Sequence, residues 1–392
     1  SEHGLTMRII TIDTANSRHV RQFLALPFRI YRSVPQWVPP IDQDAHRMLD
    51  RRKHPFYRHS DAAFFLALDD SERAVGRIAV LENRNYNAYN KEATAFFYLF
   101  ECEDARAASD ALFDAAFEWA RGRGLNKIIG PKGFSALDGM GLLVKGFEHR
   151  PALGIPYNPP YYPALIQAAG FEQTGDVVSG YLNASTAQFP EKIHAVAELV
   201  QKRRGLRVVR FKTRSDLQML VPRLRDLYNA SIEGTTGNVP LTDDEVKTLA
   251  DQILWFADPR LIKVVMKDDE LVGYLFAYPD ISAAIQRTRG RLFPFGWIDL
   301  LLELRRTRRI NINGAGIVEK YRGLGGTAIL FSEMHKSVIE GKFIHADLVQ
   351  IGVDNDKMQR EMRDLGIDFY KAHRMYARDL TPTPTLPRSQ NP

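Results

Sequence analysis

The 392-residue sequence predicts an α/β (α+β) protein whose two halves repeat one order of elements. Three observations carry that prediction. Apolar residues make up 45% of the chain and charged residues 26%, ordinary for a globular protein that can bury sizeable cores. Short apolar runs of strand character alternate with amphipathic helical segments. The order strand, helices, hairpin, strand, helix, strand, helix, strand occurs before residue 184 and again after residue 206.

The first half opens with strand RIITID, from Arg8, and an amphipathic helix over roughly His19 to Tyr31, then the Pro-rich loop PQWVPP. AAFFLAL and AVGRIAVLEN, joined by DDSER, read as a hairpin. The apolar run TAFFYLFEC precedes a strongly periodic helix, ARAASDALFDAAFEWARGRG, which Gly122 or Gly124 should end. Strand LNKIIG, a long Gly- and Pro-rich passage, helix PALIQAAGF and a strand containing DVVSGYL complete the half.

The second half starts with strand LRVVRF. Two helices follow, the second with Thr242 as its N-cap and Glu245 three residues later. LIKVVMKDDELVGYLFAYP reads as a hairpin turning at Asp268 to Glu270. Strand RININGAGIV, helix GTAILFSEMHKSVIEG, strand FIHADLVQIG and a final helix and strand follow. NPPYYPALIQAAGF parallels NDKMQREMRDLGIDF: Asn158 to Gly170 spans twelve positions and Asn355 to Gly366 eleven. The expected domains are 7–184 and 206–380, with a polar linker helix over 185–205 and a disordered tail over 381–392.

A net charge of +6 favours anionic partners without selecting one. Cys102 is the only cysteine, which excludes a disulfide framework and a Cys-rich metal site; no metal is expected. SEHGLTMRII lacks the apolar stretch of a signal peptide, so a cytoplasmic protein is expected. Lys202, Arg203 and Arg204, and the arginines at 305–309, lack interleaved aromatics, so nucleic acid is not an expected partner.

The most specific local signal is GIVEKYRGLGGTAILF, residues 316–331. A strand ends, a glycine loop follows, and an apolar-periodic helix starts at once. Glycines allow tight turning and close approach of a ligand, and a helix N-terminus offers N–H groups and a positive dipole end. Together they suit a pyrophosphate. The GxxxxGK[ST] loop is absent, and no GxGxxG opens a dinucleotide-binding unit.

EKYRGLGGTAIL resembles the pyrophosphate loop of the GCN5-related N-acetyltransferase (GNAT) superfamily, Arg/Gln-x-x-Gly-x-Gly/Ala, with Arg322, Gly325 and Thr327 at its key positions. Thr327 departs from Gly/Ala. GLLVKGFEHRPALGIPYNPPYYPALIQAAGF, YNASIEGTTGNVPLTDDE, RLFPFGW and HADLVQIGVDNDKM resemble bacterial tandem-GNAT proteins, some of which are similar to bacterial ceramide synthases. The resemblance implies two tandem GNAT-like domains, each a mixed, mostly antiparallel sheet flanked by helices. The loop stands only in the second. The equivalent turn of the first, ECEDARAAS, is acidic, lacks glycine and should repel a pyrophosphate.

The implied activity is transfer of an acyl group from acetyl-CoA or a longer acyl-CoA to a primary amine. Ile317, Val318, Arg322, Gly323, Leu324, Gly325, Gly326, Thr327 and Asn355 would hold the cofactor, a backbone N–H near Ile317 or Val318 polarising the thioester carbonyl. Glu233, Asp347 and His345 are candidate bases. The family's usual acid position falls at Met362, which leaves Tyr370 as substitute. Tyr157, Asn158, Tyr161, Asn238 and Trp297 are candidate acceptor contacts. Met362 also motivates the alternative, a catalytically inactive GNAT-fold sensor or interaction protein.

RTRGRLFPFGWIDLLLELRRTRR, from Arg287, is an insertion between two strands of the second half. Its aromatics, arginines and short apolar helix, with Trp297, Leu300, Leu301 and Leu304 on one face, suit a peripheral contact with the inner face of a membrane through 291–309 or the mouth of an acyl-chain tunnel. A core-capping helix or a dimer interface fits the same pattern.

Overall fold

The computed structural model describes residues 7–186, 191–235, 237–352 and 356–381. The first half contains β1 (Arg8–Thr11), α1 (Ser17–Ile30), α2 (Asp42–Leu49), β2 (Asp61–Leu68), β3 (Ala74–Glu82), α3 (Arg84–Asn90), β4 (Thr94–Cys102), α4 (Arg106–Gly122), β5 (Lys127–Gly130), β6 (Leu142–Lys145), α5 (Tyr162–Ala168) and β7 (Glu172–Asn183). The second contains α6 (Glu191–Arg204), β8 (Leu206–Val209), α7 (Arg214–Ser231), α8 (Asp243–Ile253), β9 (Ile262–Lys267), β10 (Glu270–Pro279), α9 (Ser282–Thr288), α10 (Gly296–Arg306), β11 (Arg309–Ile317), α11 (Gly326–Glu340), β12 (His345–Gly352), α12 (Asp356–Asp364) and β13 (Asp368–Asp379). The repeated order is present, with α2, α3, β6 and α9 beyond what the pattern announced.

The helix starts follow local chemistry. Asn16 accepts from the Arg18 and His19 N–H groups at the head of α1. Thr213 and Asp216 form a capping box on α7. Thr242 caps α8 as expected, but the Glu245 carboxylate does not turn back to the cap. It is buried and meets His59 Nε2 of the first half at 2.6 Å.

The thirteen strands of the described residues form one sheet, in the order β1-β2-β3-β4-β5-β13-β7-β12-β11-β10-β9-β8, with β6 on β13. Among the described residues, only β4–β5 and β11–β12 are parallel. The halves exchange their last strands. β13, from the second half, pairs with β5 of the first, and β7, from the first, pairs with β12 of the second. β7 and β13 then pair with each other along most of their length.

Helices cover both faces. On β2, Phe65 and Ala67 join the cluster under α4, while Phe64 and Leu66 join the one under α1. In the second half, Ile329, Met334 and Val338 of α11 pack on one face and Leu217, Leu220 and Leu227 of α7 belong to a separate cluster. The segment expected as a linker includes α6, which is docked: Ala197 is buried in the α11 cluster and His194 Nδ1 lies 2.6 Å from Ser332 Oγ. Lys202 stays exposed and pairs with Glu198.

The seam between the halves is closely packed at Gly180 on β7, opposite Leu348 and Phe369. A Cβ there would sit 2.4 Å from Ile367 Cγ2. Gly180→Val is expected to lower the unfolding free energy by roughly 1–3 kcal/mol in urea titration, through overpacking alone.

Candidate functional site

The loop between β11 and α11 adopts the backbone shape its glycines allow. Gly323 has φ +75° and Gly325 φ +92°, and no side chain caps α11. The first N–H groups of the helix are left for another partner. Val200 of α6 closes one side: a Cβ on Gly325 would meet its Cγ2 at 2.6 Å. Thr327 is exposed and Leu324 half-buried beside it. Arg322 does something different from what its motif position implies. Its guanidinium donates to the carbonyls of Ile317 (3.1 Å), Ser231 (2.7 Å) and Glu233 (3.0 Å), stapling the loop to the end of α7.

Beside this loop the sheet opens. β11 and β12 pair only from Arg309↔His345 to Ile312↔Leu348, and then diverge. A register shift between Leu275 and Ala277 against β10, and Gly314 at φ +121°, mark a bulge in β11 where this begins. The Val318 N–H donates to Val272 O at 2.8 Å, so it is not available to a thioester. Since N–H groups alternate sides along a strand, the Ile317 N–H points toward the opening. Of the two N–H groups expected as donors, only that of Ile317 faces the opening.

The four expected proton-transfer residues fall in two places. Asp347 is buried; Arg309 Nη1 donates to its Oδ2 at 2.9 Å and Tyr370 donates to its Oδ1. Burial, then the Asp347 charge, pushes the Tyr370 phenol far above its ordinary value. His345, two residues from Asp347, lies with Nδ1 2.6 Å from Tyr181 Oη, and burial and Arg309 lower its pKa. Glu233 stands apart, exposed at the end of α7 by the glycine loop. Met362 packs against Leu348 and Ile367 in the core. Asn355 lies outside the described residues.

Asp347 also pairs in register with Asn311 on β11, which puts both on one face. Asn311 opens the way to a cavity of about 710 Å³ between the halves. α1 and α2 contribute walls from one side and α8 and the end of β10 from the other. Much of the lining is apolar, including Phe28, Ile41, Leu153 and Phe256. The Asn311 Oδ1 is buried without a hydrogen-bond partner among the described residues, and Asn313, further along β11, also faces this space.

Of the expected acceptor contacts, Tyr157 and Asn158 line the cavity. Asn158 is held in place, exchanging hydrogen bonds with the Leu143 main chain. The other three do not line it. Tyr161 donates to Cys102 O, Asn238 to Thr235 Oγ1, and Trp297 is exposed on α10.

Glu101 and Asp138 are among the cavity's titratable residues that escaped the sequence reading. Glu101 accepts from Tyr31 and Tyr162 at 2.8 Å each, and burial pushes its carboxyl up to about 7. Asp138 accepts the Phe134 and Ser135 N–H groups and is pushed by burial up to about 6. For Glu101 the run ECEDA was the available signal, but it read as an acidic turn that should repel a pyrophosphate; only the fold turns Glu101 inward.

The raised Glu101 carboxyl makes stability pH-dependent. Below its ordinary value of 4.5, folded and unfolded chains are both protonated there. As pH rises toward about 7, the unfolded chain ionises first, so this contribution to stability falls and is gone above that value. Glu101→Gln, which still accepts from both tyrosines, is expected to gain on the order of 2 kcal/mol over wild type across that window. Thermal melts of both proteins over the pH series measure the difference.

No protein-family model matches the chain. It is 26% identical to protein YghO of Escherichia coli, over 93% of this chain and 94% of that protein. It is 27% identical to the bacterial ceramide synthase of Caulobacter vibrioides, over 92% and 95% respectively. Among solved structures it is similar to a tandem GNAT protein from the clavulanic acid biosynthesis pathway, with TM-score 0.55 and 13% identity over 96% of this chain and 100% of that one. A GCN5-related N-acetyltransferase from Sphaerobacter thermophilus gives TM-score 0.50 at 12% identity, over 97% and 98%. The chain has the fold of tandem GCN5-related N-acetyltransferases, with the described strands of its two halves sharing a single sheet.

Proposed function

We propose that the chain is an acyl-CoA-dependent N-acyltransferase acting on a primary amine. The observation that carries this reading is the parting of β11 and β12 between an uncapped glycine loop and a closed-in cavity. The N–H groups at the start of α11, with Gly323, Leu324, Gly325, Gly326 and Thr327, would hold the pyrophosphate of acetyl-CoA or a longer acyl-CoA. Arg322 contributes by fixing the loop. The Ile317 N–H faces the opening, where it can stabilise a thioester oxyanion. The amine nitrogen forms the new bond to the thioester carbonyl carbon, the carbon–sulfur bond breaks, and the thiol form of CoA leaves.

Asn311 and Asn313 would meet the acceptor where cavity and opening adjoin. We assign proton handling to the Asp347–Tyr370 pair: each carboxylate oxygen keeps a further lone pair, and the phenol stays protonated. Glu233 is the proposed alternative base, for an acceptor entering at the loop. The acceptor class we favour is a long-chain amine. The apolar cavity lining supports it, as does the name of the Caulobacter relative, a bacterial ceramide synthase.

Calorimetry with acetyl-CoA and a long-chain acyl-CoA, followed by thiol release with simple amines and sphingoid bases, tests the reading. Binding and turnover are expected; binding without turnover of any amine would instead favour a non-catalytic sensor. Gly325→Asp forces a side chain into a left-handed position against Val200, a strain of about 1–3 kcal/mol, and should abolish acyl-CoA binding. Tyr370→Phe should leave binding intact and lower kcat about a hundredfold. Asp347→Ala strands Arg309 and should cost about 3–5 kcal/mol of stability in urea unfolding, so Asp347→Asn is the variant for kinetics.

A further inference from the structure

The segment between β10 and β11 is not a core cap alone. Leu300 is 1% exposed and, with half-buried Leu304, packs against Ile281, Ile285 and Phe256. Trp297 and Leu301, expected on one face with Leu300 and Leu304, are exposed instead. Phe293 is 67% exposed and Phe295 74%, followed by exposed Trp297, Ile298, Leu301 and Leu302. These six are half of the twelve exposed large apolar side chains among the described residues, gathered within ten positions. Scattered exposed apolar residues need no explanation, but a contiguous patch marks a contact surface.

Charge identifies the partner. The two carboxylates of α10, Asp299 and Glu303, are both paired by Arg287, at 2.7 and 2.8 Å. Arg291, Arg305 and Arg306 are exposed at the two ends of the patch, with no carboxylate within ion-pair distance among the described residues. The patch is thus an apolar strip, about 16 Å of helix plus the preceding turn, framed by exposed arginines that form no ion pair among the described residues. A protein interface of two copies would set these arginines against each other; phosphate groups above an acyl layer match them. The segment is also held firmly. The Gly290 carbonyl accepts the Asp42 N–H at 2.8 Å, and Gln286 donates to the Pro35 and Trp37 carbonyls.

We propose that Arg291–Arg306 docks the protein on an anionic lipid bilayer. Phe293, Phe295, Trp297, Ile298, Leu301 and Leu302 enter the headgroup–acyl boundary and the arginines meet lipid phosphates. Among the described residues no helix is long and apolar enough to cross a membrane, so this is a surface contact. Arg289 and Arg291 also line the cavity between the halves. Resting on the acyltransferase reading, the docked orientation brings the cavity rim to the lipid surface, and a lipid amine passes from bilayer to cavity without crossing bulk water.

Flotation of the full chain with vesicles of phosphatidylcholine, and of phosphatidylcholine mixed with phosphatidylglycerol, tests the docking. Wild type should float with the mixed vesicles and far less with the neutral ones. Phe293→Ser/Phe295→Ser/Trp297→Ser alters only exposed side chains and should abolish flotation with an unchanged thermal melt. Arg305→Glu/Arg306→Glu should weaken it at least about tenfold, and more at low salt. The proposal is overturned if wild type does not float, or floats equally after the triple substitution. It is also overturned if light scattering shows a dimer that the triple variant dissolves while vesicles are ignored. Thiol release with a water-soluble amine, run in parallel, separates the two readings: turnover without flotation removes only the docking, and flotation without turnover removes only the acyltransferase.

Discussion

The exchange of last strands underlies the rest of the molecule. A parallel pair such as β11–β12 leaves β12 with a bare outer edge, and β4–β5 leaves β5 with another. Each edge is covered by the other half's final strand, β7 on β12 and β13 on β5. Unpaired backbone groups on both sides are satisfied by this arrangement, which makes one sheet of two domains. It also fixes the distance between the halves. The cavity walls, built by α1 and α2 on one side and α8 on the other, inherit their spacing from strands that run through the middle.

Both halves part their parallel strands in the same way, and the chemistry that follows differs. In the second half the opening beyond Ile312 leads to an uncapped helix and a glycine loop. In the first, β4 and β5 separate beyond Phe96. There Tyr162 fills the space, donating to Glu101 and accepting the Cys102 N–H, each at 2.8 Å. Glu103 and Asp104 precede α4, where their charges already complement the helix dipole and oppose a phosphate. One opening leads to an uncapped helix N-terminus, and the other is filled around a carboxyl that burial pushes up to about 7.

The insertion between β10 and β11 joins these themes. Its inner residues, Leu300 and Leu304, close the end of the cavity wall formed by Phe256 and Ile41. Its outer residues form the exposed apolar strip. Arg287 neutralises both acidic residues of α10, so the same short helix is anchored inward and left cationic outward.

Periodicity, caps and glycine placement are local properties, and they were legible in the sequence. The order of strands and helices, the N-cap at Thr242, the glycine turn at Gly323 and Gly325, and the acidic counterpart in the first half all follow from neighbours in the chain. The pairing partners of β7 and β13 were not legible, because a repeat defines which strands exist and not which copy each one joins. The same limit applies to side chains. Arg322 carries the motif but binds carbonyls of its own chain, and Glu245 leaves its cap for His59 across the domain seam. Glu101 and Asn311 became part of a cavity only when strands distant in sequence brought them to one space. Local pattern determined the elements and the loop. The tertiary structure decided which polar groups are buried, because burial depends on contacts that the sequence does not order.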